Sequence, residues 1–172
     1  MIENKTISLE KACYDMKLKA LEMALSTGGN GSHIGGAFSA MEIFAVLYSV
    51  ANVDNTFNEK RDRIIVSKAH CVLAYYTALW KKGLLCEDDL STFDKNGTAF
   101  HGHPHRNLAY GIEFSGGSLG LGLSYAVGVA LAMQKKQLDN RVYVLLGDGE
   151  CDEGIVWESL MSITNFKLNN LT

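Results

Sequence analysis

Apolar and polar residues are arranged along the chain in blocks that predict helices and strands in alternation. Apolar residues three and four apart from Leu9 to Met23 predict an amphipathic first helix with Ser8 as its N-cap. Two short runs rich in β-branched residues, at 63–66 and 142–146, predict buried strands. Further helices are predicted over 38–50, 70–82, 87–93, 118–137 (with Ser118 as N-cap) and 153–166. This alternation predicts an α/β fold with a doubly wound, mostly parallel sheet and helices on both faces.

Length and composition fit one domain. The 172 residues, 47% of them hydrophobic, suffice for a single core, so one domain over 1–172 is expected. A net charge of −3 gives no reason to expect nucleic acid or an anionic membrane as a partner. The N-terminus lacks the apolar core of a signal peptide, and the four cysteines show no Cys-x-x-Cys spacing. These features predict a protein of the reducing cytoplasm without a membrane span.

Residues suited to chemistry concentrate in the loops between the predicted elements. Ten of the seventeen glycines fall in two loops, 28–36 and 111–122. Loops on a rigid scaffold are where α/β proteins keep binding and catalytic groups, and imidazoles there can bind phosphate or move protons. The five histidines all lie in loops or at a helix start: His33, His70, His101, His103 and His105.

Asp148 stands just after the second predicted strand, inside Gly147-Asp148-Gly149. The carboxyl end of a strand is where open parallel sheets bind ligands. A carboxylate beside glycine backbone suits a magnesium ion that holds a diphosphate, because Mg²⁺ takes one or two carboxylates plus phosphate oxygens. Taken alone, this motif is weak, and a tight strand-to-helix turn with a solvated aspartate explains it better.

The histidines also have alternative explanations. His33 and His70 could be turn residues whose hydrogen bonds are satisfied within the protein. The loop 101–105 carries three alternating histidines, which an extended backbone would place on one side. There they could bind zinc together with a cysteine, either Cys71 or Cys86.

Taken together, the motifs resemble the transketolase family, specifically the N-terminal, diphosphate-binding domain of these thiamine-diphosphate enzymes. Five motifs occur in the family's order and approximate spacing, and the resemblance runs from the first helix to Thr172. The short loop after Gly102 is most similar to bacterial transketolases split into two subunits, of which this chain would be the N-terminal one. The resemblance is carried by Gly31 to Gly36, Asp62 to His70, Gly102-His103-Pro104, Gly111-Ile112-Glu113 with Gly117-Ser118-Leu119-Gly120, and Gly147 to Glu158.

The resemblance implies a cofactor site for thiamine diphosphate and Mg²⁺. Asp148 matches the position of a Mg²⁺ ligand. The backbone at Gly147 and Gly149 matches the segment that touches the cofactor diphosphate. Gly117-Ser118-Leu119 matches the segment that lies along the aminopyrimidine ring, with the leucine as its apolar support.

The resemblance also implies catalytic roles. His70 and His33 match histidines near the thiazolium and the substrate oxygens, so His70 counts as a cofactor-binding residue as well. His103 matches a histidine of the substrate channel. Glu153 and Glu158 match carboxylates of the interface between subunits. There Glu153 would hold the partner-domain glutamate that hydrogen-bonds the aminopyrimidine, and so contribute to both cofactor binding and catalysis.

The activity implied by the resemblance is transfer of a two-carbon ketol unit from a ketose phosphate to an aldose. The implied partner is a C-terminal, pyrimidine-binding transketolase subunit or domain, in a homodimer or a heterotetramer of halves. Three alternatives stay open. They are a deoxyxylulose-phosphate-synthase-like enzyme half, a relative specialised for an unusual sugar, and a non-catalytic binding module on the same scaffold. The run Glu153-Gly154-x-x-Trp157-Glu158 favours transketolase over the synthase.

The chain departs from the family pattern in its loops and its length. The family's His-Pro-Gly reads His33-Ile34-Gly35 here, and its Thr-Gly-Ser-Leu-Gly-Gln-Gly reads Gly116 to Gly122. In the family, an asparagine after the next strand is a second metal ligand. Asn169 and Asn170 come too early and fall where the turn before that strand is expected. The sequence therefore predicts a domain that is truncated at its C-terminus and inactive on its own.

Overall fold

The computed structural model describes residues 2–54 and 58–172. Helices and a parallel sheet are both present, which confirms the predicted α/β class. The chain divides into two compact units, and the prediction of one domain over 1–172 stays a prediction. Unit 1 comprises Met1–Asn52 and His70–His105, and unit 2 comprises Val53–Ala69 and Arg106–Thr172.

Unit 1 is helical. Its first helix packs against the third and the fourth, and the predicted apolar positions Cys13, Met16, Ala20 and Met23 are all buried. This outcome confirms the helical periodicity of the N-terminal segment. The helices of unit 1 are α1 (Ile2–Ser26), α2 (Ile34–Phe38), α3 (Met41–Val50), α4 (Val72–Lys82) and α5 (Glu87–Ser91).

A group of aromatic side chains forms the centre of unit 1. Phe44 from α3 stacks on Tyr75 from α4 with ring centroids 5.7 Å apart, and Tyr76 meets Phe100 edge-to-face at 5.4 Å. The Tyr76 hydroxyl donates a hydrogen bond to the carbonyl of His101 across 3.3 Å. Burial raises the pKa of this hydroxyl, so it stays a donor and fixes the histidine-rich loop to the core.

Unit 2 contains the sheet. Strands β1 (Arg63–Val66) and β2 (Val142–Leu145) pair in parallel, with Arg63 opposite Val142 and Val66 opposite Leu145. Because the strands are parallel and in this register, the residues that follow each strand meet at one edge of the sheet. Helices α6 (Leu121–Lys135) and α7 (Gly154–Phe166) complete the unit. Its core is formed by Ile65, Ala126, Ala130, Met133, Val142 and Leu168.

A third segment pairs with the sheet at residues 170–172. Leu171 forms a parallel bridge with Val142, and the Val142 N–H donates to the carbonyl of Asn170 across 2.8 Å. Asn169 and Asn170 form the turn that leads into this pairing, as predicted. The Asn170 side-chain amide donates to the Ala130 carbonyl at 3.0 Å, so it ties the turn to α6.

Two predicted helix starts are wrong. The first helix begins at Ile2, so Ser8 lies inside it; serine is tolerated on an exposed helical face and is no certain cap. Helix α6 begins at Leu121 rather than at Ser118, because Gly120 takes the left-handed backbone conformation (φ 82°) and occupies the N-cap position. In residues 2–54 and 58–172, no helix combines the length and apolar character that a membrane crossing requires.

The predicted helix over 38–50 begins later in the structure, and Phe38 belongs to the helix before it. Helix α2 ends at Phe38 and α3 begins at Met41. Between them the Ser39 hydroxyl donates to the carbonyl of Gly36 across 2.9 Å. Serine bonds of this kind compete with the regular helical ladder. Helix α2 also includes residues 34–36 of the predicted glycine-rich loop. His33 directly precedes α2 and is its N-cap.

Candidate functional site

The Gly147-Asp148-Gly149 turn follows β2 as predicted. The Asp148 side chain is exposed at the carboxyl end of the sheet. A Cβ placed on Gly149 would meet no atom of the described residues within 4 Å. The turn thus presents one carboxylate and an open stretch of backbone. A metal-bound diphosphate requires both from a protein.

Glu150 joins three parts of this site through its buried carboxylate. Its side chain accepts hydrogen bonds from the Ser67 hydroxyl, from the Gly120 N–H at 2.7 Å and from the Gly147 N–H at 2.9 Å. The Ser67 oxygen in turn accepts from the N–H of Gly122 at 3.1 Å. Hydrogen bonds to a carboxylate are stronger than those between neutral groups. The end of β1, the turn after β2 and the start of α6 are therefore held in one arrangement.

Two glycines at the start of α6 are required by packing. A Cβ on Gly120 would lie 2.4 Å from a methyl group of Ile155, and a Cβ on Gly122 would lie 2.4 Å from the Cβ of Ser67. Both distances are shorter than any normal carbon contact. These glycines let the start of α6 pack closely against its neighbours in unit 2.

The segment Gly117-Ser118-Leu119 is exposed, and Leu119 keeps 45% of its surface accessible. An exposed leucine beside glycine backbone offers an apolar surface to a flat ring. Glu153 is also exposed, and its N–H donates to the Glu150 carbonyl across 3.1 Å just before α7. The donor set and the open backbone of unit 2 fit a bound diphosphate with an attached heteroaromatic ring.

A buried ion pair anchors the glycine-rich loop to β1. The Arg61 guanidinium pairs with the Glu113 carboxylate, with 5% and 6% of their side chains exposed, and the Arg63 Nε lies 3.7 Å from the same carboxylate. Burial, followed by the neighbouring Arg61 charge, lowers the pKa of Arg63. The carboxylate of the Gly111-Ile112-Glu113 motif therefore has a structural role within unit 2.

Three predicted catalytic histidines lie together in unit 1. His33 sits at the N-cap of α2, and its ring centroid is 5.9 Å from that of His70 and 5.9 Å from that of His103. His33 and His103 line a cavity of about 270 Å³. Separate segments thus bring imidazoles to one place, where they can exchange protons with a bound ligand.

Gly36 provides the space for the His70 ring. A Cβ on Gly36 would lie 2.5 Å from Cδ2 of His70 and 3.2 Å from Nε2. The neighbouring Gly35 differs, since a Cβ there would meet no described atom within 4 Å. The position of the His70 imidazole therefore depends on Gly36 and not on Gly35.

The structure does not favour the zinc alternative. The rings of His101 and His105 are 4.9 Å apart, whereas the ring of His103 lies beside His33, so the loop does not present three imidazoles on one side. Cys71 is buried and Cys86 is exposed. Among the residues that the structure describes, no three His, Cys, Asp or Glu side chains form a group that could hold a metal ion.

Sequence reasoning missed the role of Glu150. The run from Glu150 to Glu153 contains three acidic residues that look alike in sequence, but only Glu150 among them is buried, with 3% exposure. The spacing could have indicated this role. Glu150 comes three residues after Gly147, so across a tight turn its carboxylate can accept a hydrogen bond from the Gly147 N–H. Ser67, its hydroxyl partner, lies within the Asp62 to His70 motif, which gave it no role of its own.

The fold is that of an α/β protein with a parallel sheet. The glycine–aspartate–glycine turn and the glycine-rich loop define a ligand site at the carboxyl ends of its strands. Residues 12–172 match the family described as transketolase, thiamine diphosphate binding domain. The chain therefore belongs to this family, which confirms the resemblance found in the sequence.

Individual relatives and a solved structure also belong to the transketolases. The chain is 40% identical over 142 residues to an apulose-4-phosphate transketolase subunit of Phocaeicola vulgatus, covering 81% of this chain and 50% of that protein. It is also 40% identical over 142 residues to the 6-deoxy-6-sulfo-D-fructose transketolase subunit of a Clostridium species, covering 81% and 52%. The solved transketolase of Campylobacter jejuni superimposes with a TM-score of 0.80 at 27% identity, over 95% of this chain and 27% of that one. The chain spans about half the length of the curated relatives it matches.

Proposed function

We propose that the chain is the thiamine-diphosphate-binding half of a transketolase-type enzyme. Such an enzyme moves a two-carbon ketol unit from a ketose phosphate to an aldose and depends on Mg²⁺. The observation that carries the proposal is the arrangement in unit 2, in which Glu150 holds the Asp148 turn and the loop before α6 in one cradle. The family match over residues 12–172 supports the nature of the ligand.

Asp148 is the proposed ligand of Mg²⁺. Its carboxylate is exposed at the end of β2, and a single carboxylate together with diphosphate oxygens is a common way for proteins to bind this ion. The open backbone at Gly147 and Gly149 receives the diphosphate. Gly117-Ser118-Leu119 supports the aminopyrimidine ring, with the Leu119 side chain beneath it.

The histidines are the proposed proton carriers. The bound cofactor supplies the carbon nucleophile and the electron sink of the reaction. His33, His70 and His103 orient the sugar hydroxyls and move protons at their oxygens. The His33 ring lies 5.9 Å from each of the other two rings in edge-to-face arrangement, so the three imidazoles can act on neighbouring hydroxyls of one ligand. Glu153 orients the partner's glutamate at the aminopyrimidine.

The proposed partner is a C-terminal, pyrimidine-binding transketolase subunit. Two relatives are named as subunits of transketolases, and the chain spans about half of each. A homodimer of joined halves or a heterotetramer of separate ones, working in the cytoplasm, is the corresponding assembly. The exposed carboxylates Glu153 and Glu158 are the proposed contact with that partner.

The test is a titration of thiamine diphosphate at saturating Mg²⁺, followed by calorimetry, with and without a C-terminal transketolase subunit. Asp148→Asn should weaken cofactor binding at least about tenfold, which is about 1.4 kcal/mol. The matched control is Asp152→Asn, which removes an exposed carboxylate from the same turn and should leave the affinity unchanged.

The outcomes separate the candidate functions. Binding that appears only with the partner, together with ketol transfer by the complex, supports the half-enzyme. Decarboxylation of pyruvate by the complex would instead indicate the synthase-like alternative. Absence of cofactor binding with and without the partner would overturn the proposal in favour of a non-catalytic module.

A further inference from the structure

The cavity beside His33 and His103 contains a carboxylate that the proposed mechanism does not use. The side chain of Asp94 lines this cavity together with Ser32. Gly102 forms the adjacent wall, since a Cβ on it would lie 3.9 Å from Oδ1 of Asp94. All of these residues belong to unit 1.

Asp94 is held there in an uncommon backbone conformation. Its φ is +54°, a left-handed value that few residues other than glycine adopt, although aspartate and asparagine tolerate it. The Asp94 N–H donates to the carbonyl of Phe100 across 2.7 Å, which fixes the backbone. A residue kept in an unfavourable backbone conformation at the wall of a cavity is a feature typical of functional sites.

Besides Asp94, the cavity offers groups that can form hydrogen bonds. The Ser32 hydroxyl is buried and has no hydrogen-bond partner among the described residues, so it can pair with a ligand hydroxyl. Of the residues that line the cavity within the described part of the chain, none is lysine or arginine. The apolar wall formed by Val72, Leu73 and Phe93 lowers the local dielectric constant and thereby strengthens the effect of the Asp94 charge.

We propose that Asp94 is a specificity-determining residue, which makes this cavity a subsite for the neutral, polyhydroxylated carbons of a sugar and excludes a phosphoryl group from it. A carboxylate accepts hydrogen bonds from sugar hydroxyls but repels a phosphate, which carries almost two negative charges near neutral pH. The inference rests on the proposed function and deepens it, because it names the residue that makes this cavity reject a sugar phosphate.

The test compares D-ribose with D-ribose 5-phosphate as probes of the full chain at pH 8. Binding is followed by the shifts of the His33 and His103 ring signals in NMR. The wild type should bind ribose more tightly than ribose 5-phosphate, and Asp94→Asn should reduce this preference about tenfold. Asparagine suits the substitution because it tolerates the same left-handed backbone. Asp94→Gly, which adopts φ +54° without strain, provides a second variant without the carboxylate.

Asp88→Asn is the matched control, since it removes an exposed carboxylate from α5 outside the cavity and should leave the preference unchanged. Ser32→Ala removes the hydroxyl that pairs with the ligand, so it should also weaken ribose binding. Tighter binding of ribose 5-phosphate to the wild type, an unchanged preference in both Asp94 variants, or no shift of either ring signal would overturn the proposal. Failure of thiamine diphosphate to bind would remove the proposed function without altering these sugar preferences, so the two failures are distinguishable.

Discussion

The backbone N–H of Gly120 donates a hydrogen bond to Oε1 of Glu150 across 2.7 Å. Gly120 ends the glycine-rich loop of unit 2, and Glu150 follows the Gly147-Asp148-Gly149 turn, so one bond connects the two segments proposed to hold the cofactor. Both residues are buried. The cradle is therefore formed by the protein itself before any ligand is bound, which reduces the ordering cost of binding.

Replacement of Glu150 should destabilise unit 2. Glu150→Ala leaves the donors of Ser67, Gly120 and Gly147 without their acceptor, and each unsatisfied buried group costs about 1–3 kcal/mol. We expect a loss of about 3 kcal/mol in the free energy of unfolding, measured by urea denaturation. Asp152→Ala, at an exposed position in the same turn, should change it by less than about 0.5 kcal/mol. Equal effects of the two variants would contradict the role assigned to the buried carboxylate.

Two glycines of α6 should respond in opposite directions to alanine. A Cβ on Gly122 would lie 2.4 Å from the Cβ and 2.7 Å from the Cα of Ser67, and overpacking of this kind costs about 1–3 kcal/mol. A Cβ on Gly128 would contact nothing within 4 Å among the described residues, so Gly128→Ala should gain about 0.5–1 kcal/mol through helix propensity. Thermal unfolding of both variants measures the difference, and a destabilising Gly128→Ala would refute the prediction.

The elements that could be predicted from sequence are those with strong periodicity. The strand Arg63–Val66 has the predicted bounds, and α4 ends at Lys82 as predicted, followed by Gly83 with φ 83°. Apolar runs bounded by polar residues carry this information locally. The start of α6 could not be predicted in the same way, because it depends on the bond from Gly120 to Glu150, thirty residues away in sequence.

The residues that support the candidate site could not be predicted from the sequence. The histidine group of unit 1 contains the three residues that the motifs indicated. However, the dependence of His70 on Gly36, like the buried state of Glu150, follows from contacts between distant segments. Composition and spacing along the sequence do not reveal such contacts. Supporting residues of this kind can be identified only when the positions of the segments in the fold are known.

The ion pair between α1 and α3 should make an acid-sensitive contribution to stability. The Lys17 ammonium donates to the Glu42 carboxylate and holds its pKa below the ordinary value. A carboxyl group whose pKa is lowered in the folded state stabilises that state above its unfolded pKa, and the contribution is lost as pH falls through the folded value. The free energy of unfolding should therefore fall below about pH 4.5.

Glu42→Gln should flatten this acid dependence, measured as the slope of unfolding free energy against pH. Glu10→Gln, which changes an exposed carboxylate on α1, is the control and should keep the wild-type slope. Because Glu42 is largely exposed, high salt should also reduce the effect. A slope that is unaltered in Glu42→Gln at low salt would show that this ion pair does not contribute.

Alanine at Gly36 should displace the His70 ring. Its Cβ would lie 2.5 Å from Cδ2 of His70, so the imidazole must move aside. Displacement of a reacting group by about 1 Å can reduce activity as much as 100-fold, so we expect at least a tenfold loss of ketol transfer by the complex with its partner. Gly35→Ala lies one residue away in open space among the described residues and should retain activity. The His70 ring signal in NMR should shift in Gly36→Ala alone, and an equal loss of activity in both variants would mean that the helix, rather than the imidazole, is the sensitive part.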